Sequence, residues 1–464
     1  MTRTDLIGAK VSVIGAERSG IAAAGLLRGA GAHVFVSDMG KGERTVRHVE
    51  ELRRGGIDAE YGAHSDRVFD ASLMVISPGV PTDAPVVTEA LRRGIAVAAE
   101  IEAASWFCRG PIVAITGSNG KTTTTTLLGR MLADAKVDHV VAGNIGTAFS
   151  SVVSGAGPET TVVLEVSSFQ LDFIRTFRPR VGVLLNITRN HLDRYGNSME
   201  RYAASKARLF MNQTQDDLLV VNAEDEWTQR VIGTARGALR RFSTRNPVEQ
   251  GAFVKEGWLT VRDGGTVRRI VPTDEITITG EHNLQNAMAA TVAALRVGVS
   301  PASVRATLRN FKGVEHRQEP VREVRGVLYI NNSKATTVEA VEMALKSYDR
   351  PIVLIMGGKD KGNDYSTIDD LVRRKVKALV ATGHSAQTIV KHFGGMVRTV
   401  VVETDGNAVP NVVSMRRTVE TAAGLAERGD VVLLAPACTS FDWFTDYEER
   451  GRVFKDLVHK LPGQ

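Results

Sequence analysis

The sequence predicts an α/β protein of three domains, with Rossmann-like N- and C-terminal domains flanking a central P-loop domain. Three observations predict it. Short apolar, β-branched runs alternate with amphipathic helical stretches along the chain, the pattern of parallel sheets with crossover helices. Those runs end repeatedly in glycine, hydroxyl, lysine or acidic clusters, which an open parallel sheet turns toward its ligand crevice. In the middle stands IVAITGSNGKTTTTTLL, residues 112–128, where a buried strand meets a glycine turn, a lysine and a helix N-terminus.

The bulk numbers agree. At 464 residues the chain is too long for one core. Apolar residues make up 43% and charged residues 24%, and there are 44 glycines to serve strand-to-helix turns. No apolar run approaches the roughly 20 residues of a membrane span, and the N-terminus enters a strand without a signal-peptide core. Cys108 and Cys438 lie far apart without metal-ligand spacing, which suits a reducing cytoplasm. The net charge of +6 is modest and comes with no dense basic stripe, so nucleic acid is not an expected partner.

The first domain, residues 1–98, reads as a small doubly wound unit. Its strands are Lys10 to Ile14, His33 to Ser37 and Ser72 to Ile76, with a helix from Ile21 to Arg28. Gly15, Gly20 and Asp38 stand where a dinucleotide fold keeps its glycines and acid, but Glu17 replaces the middle glycine. An intact NAD site is therefore not expected. Another nucleotide at the same strand ends, or a purely structural turn, both fit.

The central domain, 99–313, is P-loop ATPase-like and is organised around Gly117-Ser118-Asn119-Gly120-Lys121-Thr122-Thr123. Glycines let backbone N–H groups approach an anion, and the helix end adds partial positive charge. Lys121 would reach terminal phosphates and the Thr122 hydroxyl would ligate Mg²⁺. Ile115 stands where the usual pattern has its first glycine. Glu165 closes the strand from Thr161, as a site acid or a simple strand-end charge. A strand from Val181 to Asn186 ends in NITRNHLDRYG, where His191 is a structural residue or a ligand. Lys206, on the helix Met199 to Phe210, reads by pattern alone as a solvated lysine. Residues 252–279 read as an inserted antiparallel patch, and Gly280 then opens a helix carrying Asn283 and Asn286.

The third domain, 314–464, has strands at Val327 to Ile330, Ile352 to Met356, Lys377 to Ala381 and Val431 to Leu434. They lead into NNSKATT, GGKDKGNDY, TGHS and APACTSFDWF. Polar clusters on the strand ends of three serial βαβ domains suggest a site assembled by closure.

Taken in order, GSNGKTT, EVSSFQLD, NHLDRYG, GEHNLQN, NSKAT, GGKDKGNDY and APACTSFDWF resemble the motifs of the Mur ligase family across all three domains. Within it they resemble the members that add D-glutamate to UDP-N-acetylmuramoyl-L-alanine. The resemblance implies an ATP-dependent amide ligase of cytoplasmic peptidoglycan precursor synthesis. In that chemistry ATP phosphorylates the alanyl carboxylate and the glutamate amine attacks the acyl phosphate. It implies catalytic roles for Lys121, Glu165, His191 and Lys206. Metal ligands would be Thr122, Glu165, His191 and Lys206 as a carbamate, with two Mg²⁺ ions expected and Mn²⁺ an alternative. ATP would be held by residues 117–123 with Asn283, Asn286, Arg317, Asn332 and Lys334. The UDP-sugar peptide would lie on Ser19, Asp38, Gly79, Asn144, Ser168 and Gln170. Thr336, Lys361, Ser440 and Phe441 would line the acceptor pocket. The implied partners are these small molecules alone, with the chain a monomer.

Two positions depart from the family pattern. Asn332 replaces an aspartate, and Arg189-Asn190 replace an acidic pair before His191. Both bear on nucleotide affinity. A folylpolyglutamate synthetase, another Mur enzyme, or a weakly catalytic subunit that binds nucleotides or UDP-sugars are the alternatives.

Overall fold

Val11 and Val13 of the first strand point one way into a core completed by Ala23, Ala24 and Leu27 of the helix Arg18–Gly29. Ile14, on alternate register, faces the opposite core with Met74 and Val87. This two-sided burial is what a parallel sheet requires. The computed structural model describes residues 3–463 apart from Ile145, His191, Asp360, Lys361, Asn407 and the Asp193 side chain.

Five parallel strands form the first sheet: β1 (Lys10–Ile14), β2 (His33–Asp38), β3 (Asp58–Tyr61), β4 (Leu73–Ile76) and β5 (Ala96–Ala99), in the order β3-β2-β1-β4-β5. Gly20 lets the helix lie against the β1 turn, since a Cβ there would fall 1.8 Å from the Gly15 carbonyl oxygen.

The second sheet has nine strands: β6 (Ile112–Thr116), β7 (His139–Gly143), β8 (Thr161–Glu165), β9 (Val181–Leu184), β10 (Leu218–Asn222), β11 (Ala238–Ser243), β12 (Gly251–Lys255), β13 (Trp258–Asp263) and β14 (Thr266–Pro272). Their order is β14-β13-β12-β11-β10-β9-β6-β8-β7. The antiparallel residues are therefore not a separate insertion. β12 pairs in parallel with β11, and β13 and β14 fold back on it, so the patch extends the main sheet at one edge.

Glu102 ties the first sheet to the second. Its carboxylate accepts from the backbone N–H groups of Arg175, Thr176 and Phe177 at 3.0, 2.9 and 2.8 Å. The Ala99 N–H donates to the Phe173 carbonyl at 3.0 Å.

The third sheet comprises β15 (Glu319–Val324), β16 (Val327–Asn331), β17 (Ile352–Gly357), β18 (Val376–Thr382), β19 (Arg398–Val402) and β20 (Val431–Leu434), in the order β15-β16-β20-β17-β18-β19. Only β15 runs antiparallel to its neighbour. The chain forms two compact units, Met1–Phe311 with the first two sheets and Lys312–Gln464 with the third.

Candidate active site

The β6 strand is buried along its whole length and delivers the glycine turn to the C-terminal edge of the sheet. The turn is held from outside. The N–H groups of Ser118 and Asn119 donate to the carbonyl and side-chain oxygens of Asn186, each at 2.9 Å. Ser118 Oγ exchanges hydrogen bonds with the backbone of Thr188 and lies 3.1 Å from the Tyr202 hydroxyl. Gly120 has φ +82°, and a Cβ there would sit 2.2 Å from Asn286 Oδ1. Asn286 Nδ2 in turn donates to Asn283 Oδ1 at 3.3 Å, so Asn286 lies beside the turn with Asn283 one helical step away. Thr123, one residue past Thr122, is half-buried.

Three residues meet at the centre. Thr122 Oγ1 donates to Glu165 Oε2 at 2.8 Å, and Asn144 Nδ2 donates to Glu165 Oε1 at 3.2 Å. Register explains this, because Glu165 pairs with Ile115 on β6 and with Gly143 on β7. Thr122 and Glu165 are 4% and 2% exposed. A buried hydroxyl beside a buried carboxylate is a hard-oxygen donor set of the kind that suits Mg²⁺.

Lys121 Nζ donates to the Gly117 and Ser118 carbonyls at 2.8 and 2.9 Å. Lys206 Nζ reaches the same Gly117 carbonyl at 2.8 Å and lies 4.6 Å from the centroid of the Tyr202 ring. The expectation of a solvated lysine fails: Lys206 is 1% exposed. Burial, then the neighbouring Lys121 charge, hold its amine well below the usual lysine range.

Ser168 and Gln170 lie on the short helix Ser168–Leu171 just past β8. Gln170 Oε1 accepts from the Ser167 N–H at 3.0 Å, and the Ser168 carbonyl accepts from Ser205 Oγ at 3.0 Å. In the first sheet each Asp38 carboxylate oxygen accepts from backbone, from the Ala16 and Gly40 N–H groups at 2.6 and 2.7 Å. Ser19 is half-buried and Gly79 exposed beside that turn.

In the second unit, Asn332 Oδ1 accepts from the Gln318 N–H at 3.2 Å and the Lys334 N–H donates to His316 at 3.1 Å. Arg317 lies between His316 and Gln318, whose φ values of 63° and 43° bend the backbone sharply there. Thr336 N–H closes onto the Lys334 carbonyl. These four residues share one loop cluster at the ends of β16 and β20. Ser440 is buried and Phe441 is 56% exposed. His191 and Lys361 lie outside the described residues.

Four contributors escaped sequence reasoning. Asn186 and Thr188 pin the phosphate loop, although they stand in the NITRNHLDRYG segment that was already suspect. Tyr202 was findable, since it lies four residues before Lys206 on the same helix face. Arg450 left no signal. It is 4% exposed and donates to the carbonyls of Ser333 and Cys438 and to Ser333 Oγ. Burial lowers its guanidinium pKa to about 10.

Residues 9–99 match the Mur ligase MurD-like N-terminal domain, 115–294 the Mur ligase middle domain, and 316–438 the Mur ligase glutamate ligase domain. The chain belongs to the Mur ligase family. The UDP-N-acetylmuramoylalanine–D-glutamate ligase of Salinibacter ruber is 44% identical to this Mur ligase over 99% of the chain and 100% of its own length. That of Acidobacterium capsulatum is 43% identical over 98% and 97%. Among solved structures, the UDP-N-acetylmuramate–alanine ligase of Thermotoga maritima shares the fold with a TM-score of 0.57 at 19% identity, over 98% of this chain and 100% of that one.

Proposed function

We propose that this Mur ligase adds D-glutamate to UDP-N-acetylmuramoyl-L-alanine at the expense of ATP, in cytoplasmic peptidoglycan precursor synthesis. The observation that carries the reading is the convergence of Lys121, Lys206, Thr122 and Glu165 on one glycine turn. Phosphoryl transfer needs little covalent chemistry from the protein, and it needs positioning and fixed charge. The loop N–H groups and Lys121 hold the triphosphate, with Asn283 and Asn286 beside it. Thr122 and Glu165 would hold Mg²⁺, which neutralises charge on the transferring group. A second ion would be shared by His191 and Lys206. For that role the neutral Lys206 amine adds CO₂ and releases one proton, becoming a carbamate anion. The strand ends of residues 1–98, with Asn144, Ser168 and Gln170, take the UDP-sugar peptide. Residues 314–464 supply Arg317, Asn332 and Lys334 for the nucleotide, and Thr336, Lys361, Ser440 and Phe441 for the acceptor. The chain acts as a monomer on small molecules.

A site built for both glutamate carboxylates rejects acceptors lacking one, because its polar groups would be left unpaired. The test is ADP release and product formation with D-glutamate, L-glutamate, D-alanine and meso-diaminopimelate at equal concentration. D-glutamate is the expected substrate, and preference for any other overturns the assignment of acceptor.

A further inference from the structure

Two buried donors near the proposed sugar-nucleotide site lack an acceptor among the described residues, one on Gln170 and one on Arg194, a residue to which no role has been given. Gln170 is 2% exposed, its Oε1 is taken by Ser167, and its Nε2 is buried with no hydrogen-bond partner among the described residues. The half-buried Arg194 likewise keeps Nη1 buried and unpartnered among the described residues. Both flank Phe169: Gln170 follows it in the chain, and the Arg194 guanidinium carbon lies 4.1 Å from its ring centroid. The turn Leu192–Tyr195 that carries Arg194 is fixed by its last residue. Tyr195 stacks on Phe169, with centroids 6.2 Å apart, and its hydroxyl bonds Asp172 at 3.0 Å and Ser205 at 3.2 Å. The guanidinium thus sits over an aromatic face, with its turn tied to the helix that carries Lys206.

A buried donor without an acceptor is costly in a folded protein, and a guanidinium more so than an amide. A ligand or an ordered water completes such a donor, and beside a substrate site the ligand is the stronger candidate. Its chemistry selects the ligand: a planar, permanently charged fork pairs with carboxylate or phosphate oxygens.

We infer that Arg194 binds an anionic oxygen of the sugar-nucleotide substrate that Gln170 also serves, either its diphosphate or its terminal carboxylate. This rests on the function proposed above and extends it to a residue of the NHLDRYG segment that had no role there. Arg194 then positions the substrate and takes no part in proton or phosphoryl transfer.

The experiment measures calorimetric binding of UDP-N-acetylmuramoyl-L-alanine and of UDP-N-acetylglucosamine, which lacks the carboxylate, to wild type, Arg194→Lys and Arg194→Ala. Melting temperatures and KM for ATP are taken alongside. Arg194→Lys keeps charge but loses the fork, and should weaken binding about 10-fold, with Arg194→Ala roughly 100-fold weaker. KM for ATP should stay within about twofold. Loss for both ligands assigns the diphosphate, and loss for the alanyl ligand alone assigns the carboxylate. Unchanged affinity in both variants, with only the melting temperature lowered, makes Arg194 a packing residue and overturns the inference. If wild type binds neither ligand, the proposed function falls first and this inference with it.

Discussion

Lys121 and Lys206 share the Gly117 carbonyl, and two ammonium groups at one oxygen repel each other. The buried one bears the larger cost, so the Lys206 amine is the one driven toward neutrality. The sign follows from linkage. With its pKa lowered on folding, Lys206 binds fewer protons in the native state than in the unfolded chain, so stability rises as pH climbs toward about 10.4. The melting-temperature difference between wild type and Lys206→Met should therefore move in favour of wild type between pH 7 and 10. A constant difference would mean the amine is an ordinary exposed one. For catalysis, Lys206→Ala should be nearly inactive, lose any dependence on CO₂ and be partly rescued by short carboxylic acids. Lys121→Ala removes a charge facing oxygens that become more negative in transfer. Turnover should fall about 10³-fold or more, and near-normal turnover in a folded variant would remove Lys121 from the chemistry.

The phosphate turn is an element shaped by its neighbours as much as by its own glycines. Asn186, Thr188 and Tyr202 hold it on one side and Asn286 fills the space above Gly120. Gly120→Ala combines a left-handed φ with a Cβ placed on the Asn286 amide. Nucleotide binding should be lost while the sheets survive, which circular dichroism and ATP titration together would show. Glu102 plays the same part for the loop Arg175 to Phe177. Burial alone would raise its pKa, but the hydroxyl of Thr176 and three backbone N–H groups hold it low. Its stabilisation is present above the unfolded value near 4.3 and lost as pH falls through the folded value. Glu102→Gln should lower the melting temperature by several degrees at pH 7. That gap should narrow below about pH 4, without a change in KM for ATP.

Each compact unit has its own two-sided core, so the whole molecule should not melt as one two-state body. Differential scanning calorimetry of the full chain should resolve two transitions. MgATP should raise the one belonging to Met1–Phe311 the more, because the phosphate turn with Lys121, Thr122 and Glu165 lies in that unit and a ligand stabilises the structure that binds it. In Lys121→Ala that upshift should vanish. A single transition, moved equally in both proteins, would contradict the division.

Much of this was legible in sequence because parallel strands are near-continuous apolar runs, and their ends announce themselves as polar clusters. β6, β8, β17 and β20 could be drawn from the chain alone, and the phosphate turn with them. Asp58–Tyr61 and Ala96–Ala99 could not: DAEY and AVAA lack a β-branched run, and only pairing with neighbours made them strands. The antiparallel strands were visible, but their place at the edge of the main sheet was not, since edge pairing is a choice between surfaces far apart in sequence. The same holds for the side chains. The identity of Lys121 and Thr122 follows from spacing, because a turn and one helical step decide where they point. The burial of Lys206, the orphaned donors of Gln170 and Arg194, and the grip of Arg450 on Ser333 depend on what packs around them. Only the folded chain could decide those, since desolvation and hydrogen-bond satisfaction belong to an environment that distant segments assemble.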